Sequence, residues 1–234
     1  MTSITRTIRR TAALVAVSLI AAATATGLGV QTASAARSCS SQPYAYAGLI
    51  GARSASGLKA TITAVSAPRV ASGHVAGWIG VGGPGRGANG QDAWIQIGIN
   101  SLPSSGNNLY AESWIPGYGH AYKPLGQVAA GEQVKVSVLE LPGKPGWWQA
   151  SVNGKPVTQA VYRPGSHGAW EPMAMTETWN GGSPSCNDFT YRFTNVRIST
   201  GQSWQGLRDA QTLTDAGYRI SGRTLTGFVA GSES

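Results

Sequence analysis

Hydrophobic and polar residues alternate along most of the chain after residue 36, in short runs separated by Gly, Pro, Ser and Asn. In the run 92–99, Ala and Ile occupy the odd positions, while Asp, Trp, Gln and Gly occupy the even ones. Because successive side chains of a strand point to opposite faces, this period of two predicts strands with one apolar and one polar face. The same pattern predicts strands at 58–64, 75–81, 109–115, 134–139, 173–177, 189–198 and 224–229.

The segment 148–161 is predicted to form a β-hairpin. Its two runs are joined by Asn153-Gly154, and both residue types tolerate the positive φ that a two-residue hairpin turn needs. Only 202–210 has a pattern that a short helix could adopt. Many short strands without an internal repeat predict an all-β fold, a two-sheet antiparallel β-sandwich forming one domain over 36–234.

The first 35 residues have the order of a secretory signal peptide. Three arginines lie among the first ten residues, an apolar stretch rich in small residues follows, and Ala33-Ser34-Ala35 forms a cleavage pattern. A transmembrane anchor is the alternative, which the abundance of Ala and Thr disfavours. We therefore predict a secreted, extracellular protein that has no membrane segment after signal cleavage.

The composition excludes several classes of protein. Only 12% of residues are charged, which disfavours a coiled coil or a helical bundle. Loss of the three signal-peptide arginines from 18 Lys and Arg, against 10 Asp and Glu, leaves a mature net charge of +5. The cations are scattered from Arg37 to Arg223 without a basic run, so nucleic-acid binding is not expected. Weak, non-specific attraction to anionic cell-wall polymers is compatible with this charge.

The cysteine and histidine residues indicate which disulfides and metal sites can be expected. Cys39 and Cys186 remain after signal cleavage, and the oxidising conditions outside the cell favour a disulfide between them. The three histidines are far apart in the sequence and no Cys-x-x-Cys occurs. We therefore expect neither a metal nor a cofactor, and we expect a monomer.

Tryptophan is abundant, and its positions indicate a binding surface. On one face of a sheet, indoles would form a platform for sugar rings or for apolar peptide side chains, although each could instead belong to the core. The neighbours Trp147 and Trp148 must point to opposite faces, so at least one lies outside the main core. The six residues considered are Trp94, Trp114, Trp147, Trp148, Trp170 and Trp179.

Six segments, in order, resemble the glutamic peptidases, the eqolisin family. They are Tyr-Ala-Tyr-Ala-Gly at 44–48, Gly-Trp-Ile-Gly-Val-Gly-Gly at 77–83, Ala-Trp-Ile-Gln-Ile-Gly-Ile at 93–99, Tyr-Ala-Glu-Ser-Trp-Ile-Pro at 110–116, Ala-Gly-Glu-Gln-Val-Lys-Val at 130–136 and Asp-Phe-Thr-Tyr-Arg-Phe-Thr-Asn at 188–195. The resemblance covers roughly 44–198. It implies a concanavalin-like jelly roll with a groove that holds a polypeptide.

The resemblance also implies a catalytic pair. In the family, a glutamine amide stabilises the oxyanion and a glutamate acts as the general base. Gln96 matches the glutamine and lies beside Trp94 on the polar side of its predicted strand. The family segment Ala-Glu-Trp-Ile-x-Glu aligns with 172–177, which places Glu177 at the second acid and Met173 at the catalytic one.

Methionine cannot accept a proton, so the resemblance does not identify which residue would act as the general base. Glu171 could serve if a slip or bulge at Pro172 brought it to the position of Met173. Glu177 is the other candidate, although it is more simply expected to support the hydroxyls of Thr176 or Thr178.

The sequence thus predicts two functions. The first is peptide hydrolysis at acid pH by Gln96 with Glu171 or Glu177. The alternative is a non-catalytic module that binds a peptide or a polysaccharide. A Glu112–Glu171 carboxylate pair, as in glycosidases, is a further possibility. The residues expected to contact the ligand are Trp94, Tyr110, Glu112, Trp114 and Met173.

Overall fold

The computed structural model describes residues 44–51, 55–179 and 186–233. The predicted signal peptide and Cys39 lie outside the described residues, so secretion and the disulfide stay predictions; Cys186 is buried, 5% exposed. The described part of the chain contains one short 3-10 turn, Ala88–Gly90. None of its helices is long and apolar enough to cross a membrane.

Strands account for almost all of the regular structure. They are β1 (Tyr44–Ile50), β2 (Gly57–Ala64), β3 (Arg69–Val70), β4 (His74–Gly83), β5 (Ala93–Ser101), β6 (Asn107–Ile115), β7 (Gly119–Val128), β8 (Val134–Glu140), β9 (Trp147–Val152), β10 (Lys155–Pro156), β11 (Val161–Tyr162), β12 (Pro172–Trp179), β13 (Asn187–Asp188), β14 (Thr190–Ser199), β15 (Trp204–Gln205), β16 (Gln211–Thr214), β17 (Tyr218–Ser221) and β18 (Phe228–Ser232).

The strands form two large antiparallel sheets. The seven-stranded sheet has the order β16-β1-β12-β4-β5-β6-β7, and the nine-stranded sheet runs β10-β9-β8-β2-β14-β18-β17, with β11 beside β9 and β15 beside β14. A small separate pair joins β13 to β3. The predicted all-β, two-sheet antiparallel sandwich is therefore confirmed.

The core is built from the apolar face that the alternation predicts. Ile95, Ile97 and Ile99 of β5 are buried in it, together with the alternate valines of β8. Burial of each such side chain contributes about 1.5–3 kcal/mol. Because these positions face inward, the even-numbered residues of β5 must face outward, and this places Gln96 on the outer face of the seven-stranded sheet.

Local predictions hold where turn chemistry or alternation is strong. The predicted turn has positive φ at both Asn153 (φ 50) and Gly154 (φ 78) and joins β9 to β10. The short helix predicted at 202–210 is wrong, because β15 and turns occupy that segment. The strand predicted at 224–229 overlaps β18 only at Phe228 and Val229. The strands that were not predicted are β1, β3, β7, β13, β15, β16 and β17. Strand β7 is almost entirely exposed, so it lacks the alternation that burial of one face imposes.

Candidate functional site

The outer face of the seven-stranded sheet, called here the Gln96 face, gathers the polar and aromatic residues of six strands. Its central row joins Met173 of β12, Gly80 of β4, Gln96 of β5 and Glu112 of β6 as successive cross-strand partners. Neighbouring strands lie about 4.8 Å apart. Gly80 has no side chain, so only its backbone separates the Met173 and Gln96 positions of this row.

Gln96 is held in a fixed orientation by its neighbours. Its side-chain Nε2 donates to Glu112 Oε2 at 3.1 Å and to the Tyr110 hydroxyl at 3.3 Å. The residue is 7% exposed, but it packs under the side chains of the Gln96 face and not between the two sheets. Both hydrogens of its amide are thus engaged within the face, so the amide would donate to an oxyanion only by giving up one of these bonds.

Glu112 links Gln96 to a histidine. Its second oxygen, Oε1, lies 2.6 Å from Nε2 of His120 on β7. Each oxygen of this carboxylate therefore has a partner on a different strand. The sequence grouped Glu112 with Tyr110 and Trp114, but nothing in it pointed to His120, because the contact depends on the β6–β7 register.

Glu177 belongs to a second cross-strand cluster. Its Oε2 accepts from Trp78 Nε1 at 2.9 Å, and its Oε1 lies 3.2 Å from His74 Nε2. The expected support of neighbouring hydroxyls is wrong: the Thr176 hydroxyl donates to the carbonyl of Ala47. Glu177 is in a different row from Gln96, that of Tyr46 and Ala76.

Glu171 lies beyond the end of β12, in the direction opposite to Glu177. The β12–β4 register runs from Pro172 to Trp179 without a shift, so the slip or bulge considered for Pro172 does not occur. Glu171 is therefore not brought to the position of Met173. Its Oε2 instead lies 2.6 Å from Nη2 of Arg86. Glu112 thus contacts Gln96 and His120, whereas Glu171 contacts Arg86.

The aromatic residues of the Gln96 face occur in stacked pairs. Trp94 stacks on Trp114 with ring centroids 5.8 Å apart, and Tyr110 stacks on Tyr122 at 5.5 Å. Further pairs, Tyr44–Tyr46 and His74–Trp179, lie on β1, β4 and β12. The predicted aromatic platform thus includes Trp94, Trp114 and Trp179. Trp148 and Trp170 belong to the core, and Trp147 is on the outside.

Burial and nearby carboxylates raise the pKa values of two tyrosines of this face, Tyr46 and Tyr110. Burial, together with the negative charges of Glu177 and Glu112, raises the pKa of Tyr110 well above its usual range. The same causes raise the pKa of Tyr46, with further contributions from Tyr44 and Asp215. Since an unionised phenol can both donate and accept, Tyr110 can receive the Gln96 amide hydrogen.

Within residues 44–51, 55–179 and 186–233, no group of three or more His, Cys, Asp or Glu side chains could hold a metal ion.

Comparison with known proteins identifies solved structures that share this fold. No protein-family model matches the sequence, and no curated protein matches it. Among solved structures, scytalido-glutamic peptidase with a peptide-based transition-state analogue superposes with a TM-score of 0.59 at 16% identity, covering 82% of this chain and 99% of that one. SCP-B, a member of the eqolisin family of peptidases in complex with the tripeptide Ala-Ile-His, gives a TM-score of 0.56 at 16% identity over the same coverage. The chain therefore has the two-sheet fold of these peptidases.

Proposed function

We propose that this is a secreted protein that binds an extended polypeptide along the Gln96 face and does not hydrolyse it by a glutamine–glutamate pair. The observation that carries the proposal is the row Met173–Gly80–Gln96. We infer that Met173 takes the place of the family's catalytic glutamate. A thioether has no site that can accept a proton from water at ordinary pH, so the general base is missing.

The two glutamates that the sequence offered as a base are engaged elsewhere. Glu177 receives the Trp78 indole and contacts His74, and Glu171 is paired with Arg86. Neither of them shares the row of Gln96.

A polypeptide ligand fits the arrangement of polar and apolar groups. Gly80 and Gly98 carry no side chain in the middle of the face and are buried by their neighbours, so a ligand would contact the side chains around them. Stacked aromatic pairs on both sides offer apolar area, and Trp114 and Trp179 are exposed. The two peptidases with this fold carry a peptide-based analogue and a tripeptide in their solved complexes, which supports the same ligand class here.

The test combines binding with a gain of catalysis. Purified mature protein should retain denatured casein without cleaving it from about pH 2 to about pH 7. Met173→Glu puts a carboxylate next to Gln96, and we expect casein cleavage at acid pH to rise by about 10²–10⁴-fold over the wild type, the usual contribution of a general base. Met173→Gln introduces a side chain of the same size as glutamate that has no carboxylate to accept a proton, and this variant should stay inactive. Adding Gln96→Ala to Met173→Glu should abolish the gain.

Two results would contradict the proposal. Cleavage by the wild type that Gln96→Ala removes would show that the chain is a peptidase. Retention on glycan columns but not on casein would favour the polysaccharide-binding alternative.

Peptide hydrolysis with Glu112 as the base is the second candidate. The supporting observation is the chain of contacts from Gln96 to Glu112 to His120, which places an amide donor and a carboxylate side by side. In that case wild-type cleavage of casein would be lost in Glu112→Gln and kept in Glu171→Gln.

A further inference from the structure

The outer face of the nine-stranded sheet, called here the basic face, collects cations that are far apart in the sequence. All five are exposed and lie at outward positions of β2, β8, β14 and β17. They are Lys59, Lys135, Arg192, Arg197 and Arg219. Their inward neighbours, such as Tyr191 and Phe193, are buried in the core, so the alternation of each strand directs the cations to the same side.

The register brings these cations close together. Lys59 and Arg197 are direct cross-strand partners. Thr61 pairs with Lys135 on one side and with Thr194 on the other. The strands from β8 to β17 are consecutive neighbours in the sheet, so the cations cover a width of about 20 Å at the usual strand spacing.

The described strands of the nine-stranded sheet carry no acid at an outward position, although the exposed Glu132 precedes β8 and Glu233 follows β18. Among the described strands of the nine-stranded sheet, the single acid is Glu140. Its side chain is 6% exposed and lies 2.9 Å from His167 Nδ1, on the inward side of β8. In the described part of the chain, none of the five cations has an acidic partner within 4.0 Å, and Lys59 lies over the Trp204 ring at 4.0 Å from its centroid.

The acids near the other sheet make the protein electrically polar. Glu112 and Glu177 lie on the Gln96 face, and Glu171 lies at the end of β12. A surface of one sign attracts a polyanion and raises its rate of association.

We propose that the basic face binds an acidic polysaccharide through its carboxylates. Three features favour a glycan over other polyanions. Hydroxyls of Ser and Thr lie between the cations, Trp204 offers a partly exposed ring next to Lys59 on which a sugar can stack, and the predicted export places the protein among extracellular polymers. This site is separate from the Gln96 face and does not depend on the function proposed there.

Binding of polygalacturonate to the mature protein tests the proposal. We expect binding that weakens steeply with added salt, because screening removes the attraction between exposed charges. The combined variant Lys135→Gln, Arg192→Gln and Arg197→Gln should bind at least about tenfold more weakly. The control Arg69→Gln, Lys144→Gln and Arg208→Gln removes the same charge from other exposed positions, and its affinity should stay within about twofold of the wild type.

Each other outcome overturns the proposal. Equal weakening in both variants would mean that net charge alone attracts the polymer. No binding to polygalacturonate, or tighter binding to duplex DNA or to anionic phospholipid vesicles, would exclude the glycan. Both variants should keep the wild-type melting temperature and casein retention, so failure here is distinguishable from failure of the proposal for the Gln96 face.

Discussion

Met173 and Gln96 are separated by one strand, and the residue between them is Gly80. A Cβ at Gly80 would lie 2.7 Å from the Ile95 carbonyl oxygen and 2.9 Å from the Cβ of Gln96, so glycine is what allows β4 and β5 to pack this closely. The flexible, polarizable thioether of methionine fills irregular apolar space. At the scale of single residues, the centre of the face therefore has an amide held by Glu112 and Tyr110 on one side and an apolar contact on the other.

Arg163 is a second residue whose surroundings are unusual. It is 2% exposed, and its Nε and Nη2 have no hydrogen-bond partner in the described structure. Only Nη1 donates, to the carbonyl of Tyr162. Burial lowers the pKa of the Arg163 guanidinium to about 10, because desolvation disfavours its charged form.

We predict that Arg163→Met stabilises the protein. Methionine keeps most of the volume and removes a buried, unpaired charge, so the free energy of unfolding should rise by about 1–3 kcal/mol. Urea unfolding measures the change. Arg208→Met, at an exposed position, is the control and should change it by less than about 0.5 kcal/mol. A less stable Arg163→Met protein would show that the guanidinium contributes favourable contacts that outweigh its desolvation.

At the scale of elements, cross-strand pairs build the site. Glu112 on β6 reaches His120 on β7, and Glu177 on β12 reaches His74 and Trp78 on β4. Each contact requires both strands in one register, since a slip by one residue would move every side chain to the opposite face. The strands of the Gln96 face also approach closely at glycines, of which Gly98 lies between Trp78 and Tyr110.

We predict that Gly98→Ala destabilises the sheet. The added Cβ would lie 2.3 Å from the carbonyl oxygen of Gly77 and 2.6 Å from the Trp78 Cβ. Relief of this overlap requires β4 and β5 to shift, at a cost of about 1–3 kcal/mol. Thermal unfolding measures it. The control is Gly106→Ala, where the new Cβ has nothing within 4 Å. Equal melting temperatures for the two variants would contradict the close approach.

At the scale of the whole molecule, buried tyrosines couple stability to alkaline pH. The pKa values of Tyr46 and Tyr110 are raised in the folded protein, first by burial and then by nearby carboxylates. A group whose pKa is raised by folding stabilises the fold below its unfolded pKa, about 10 for tyrosine, and loses that contribution as the pH rises above it.

We therefore predict a loss of stability above about pH 10. The free energy of unfolding should fall by about 1.4 kcal/mol per pH unit for each such tyrosine. Phenolate absorbance and far-ultraviolet circular dichroism, recorded together, should show these tyrosines ionising only as the protein unfolds. Tyr46→Phe should make the fall less steep. Ionisation of all eight tyrosines before any unfolding would refute this coupling.

The two sheets also divide the protein into surfaces of different character. The Gln96 face carries stacked aromatic rings and two glutamate clusters, whereas the basic face carries five exposed cations. Two ligand classes could therefore be held at once on opposite sheets, a polypeptide on one and an acidic glycan on the other.

Much of this architecture follows from local patterns in the amino-acid sequence. Alternation along β5 predicted both its buried isoleucines and the outward position of Gln96, and Asn153-Gly154 predicted its hairpin. Such features depend on the covalent geometry of a few successive residues. They needed no knowledge of which strand lies next to which.

The partners of the candidate residues were decided only by the tertiary structure. Met173 is in the row of Gln96, Glu177 meets Trp78, and cations as distant as Lys59 and Arg197 become neighbours. These contacts follow from strand order and register, which depend on the packing of both sheets around one core. A sequence pattern shows which face a side chain takes, whereas the chemistry across that face depends on strands far away in the chain.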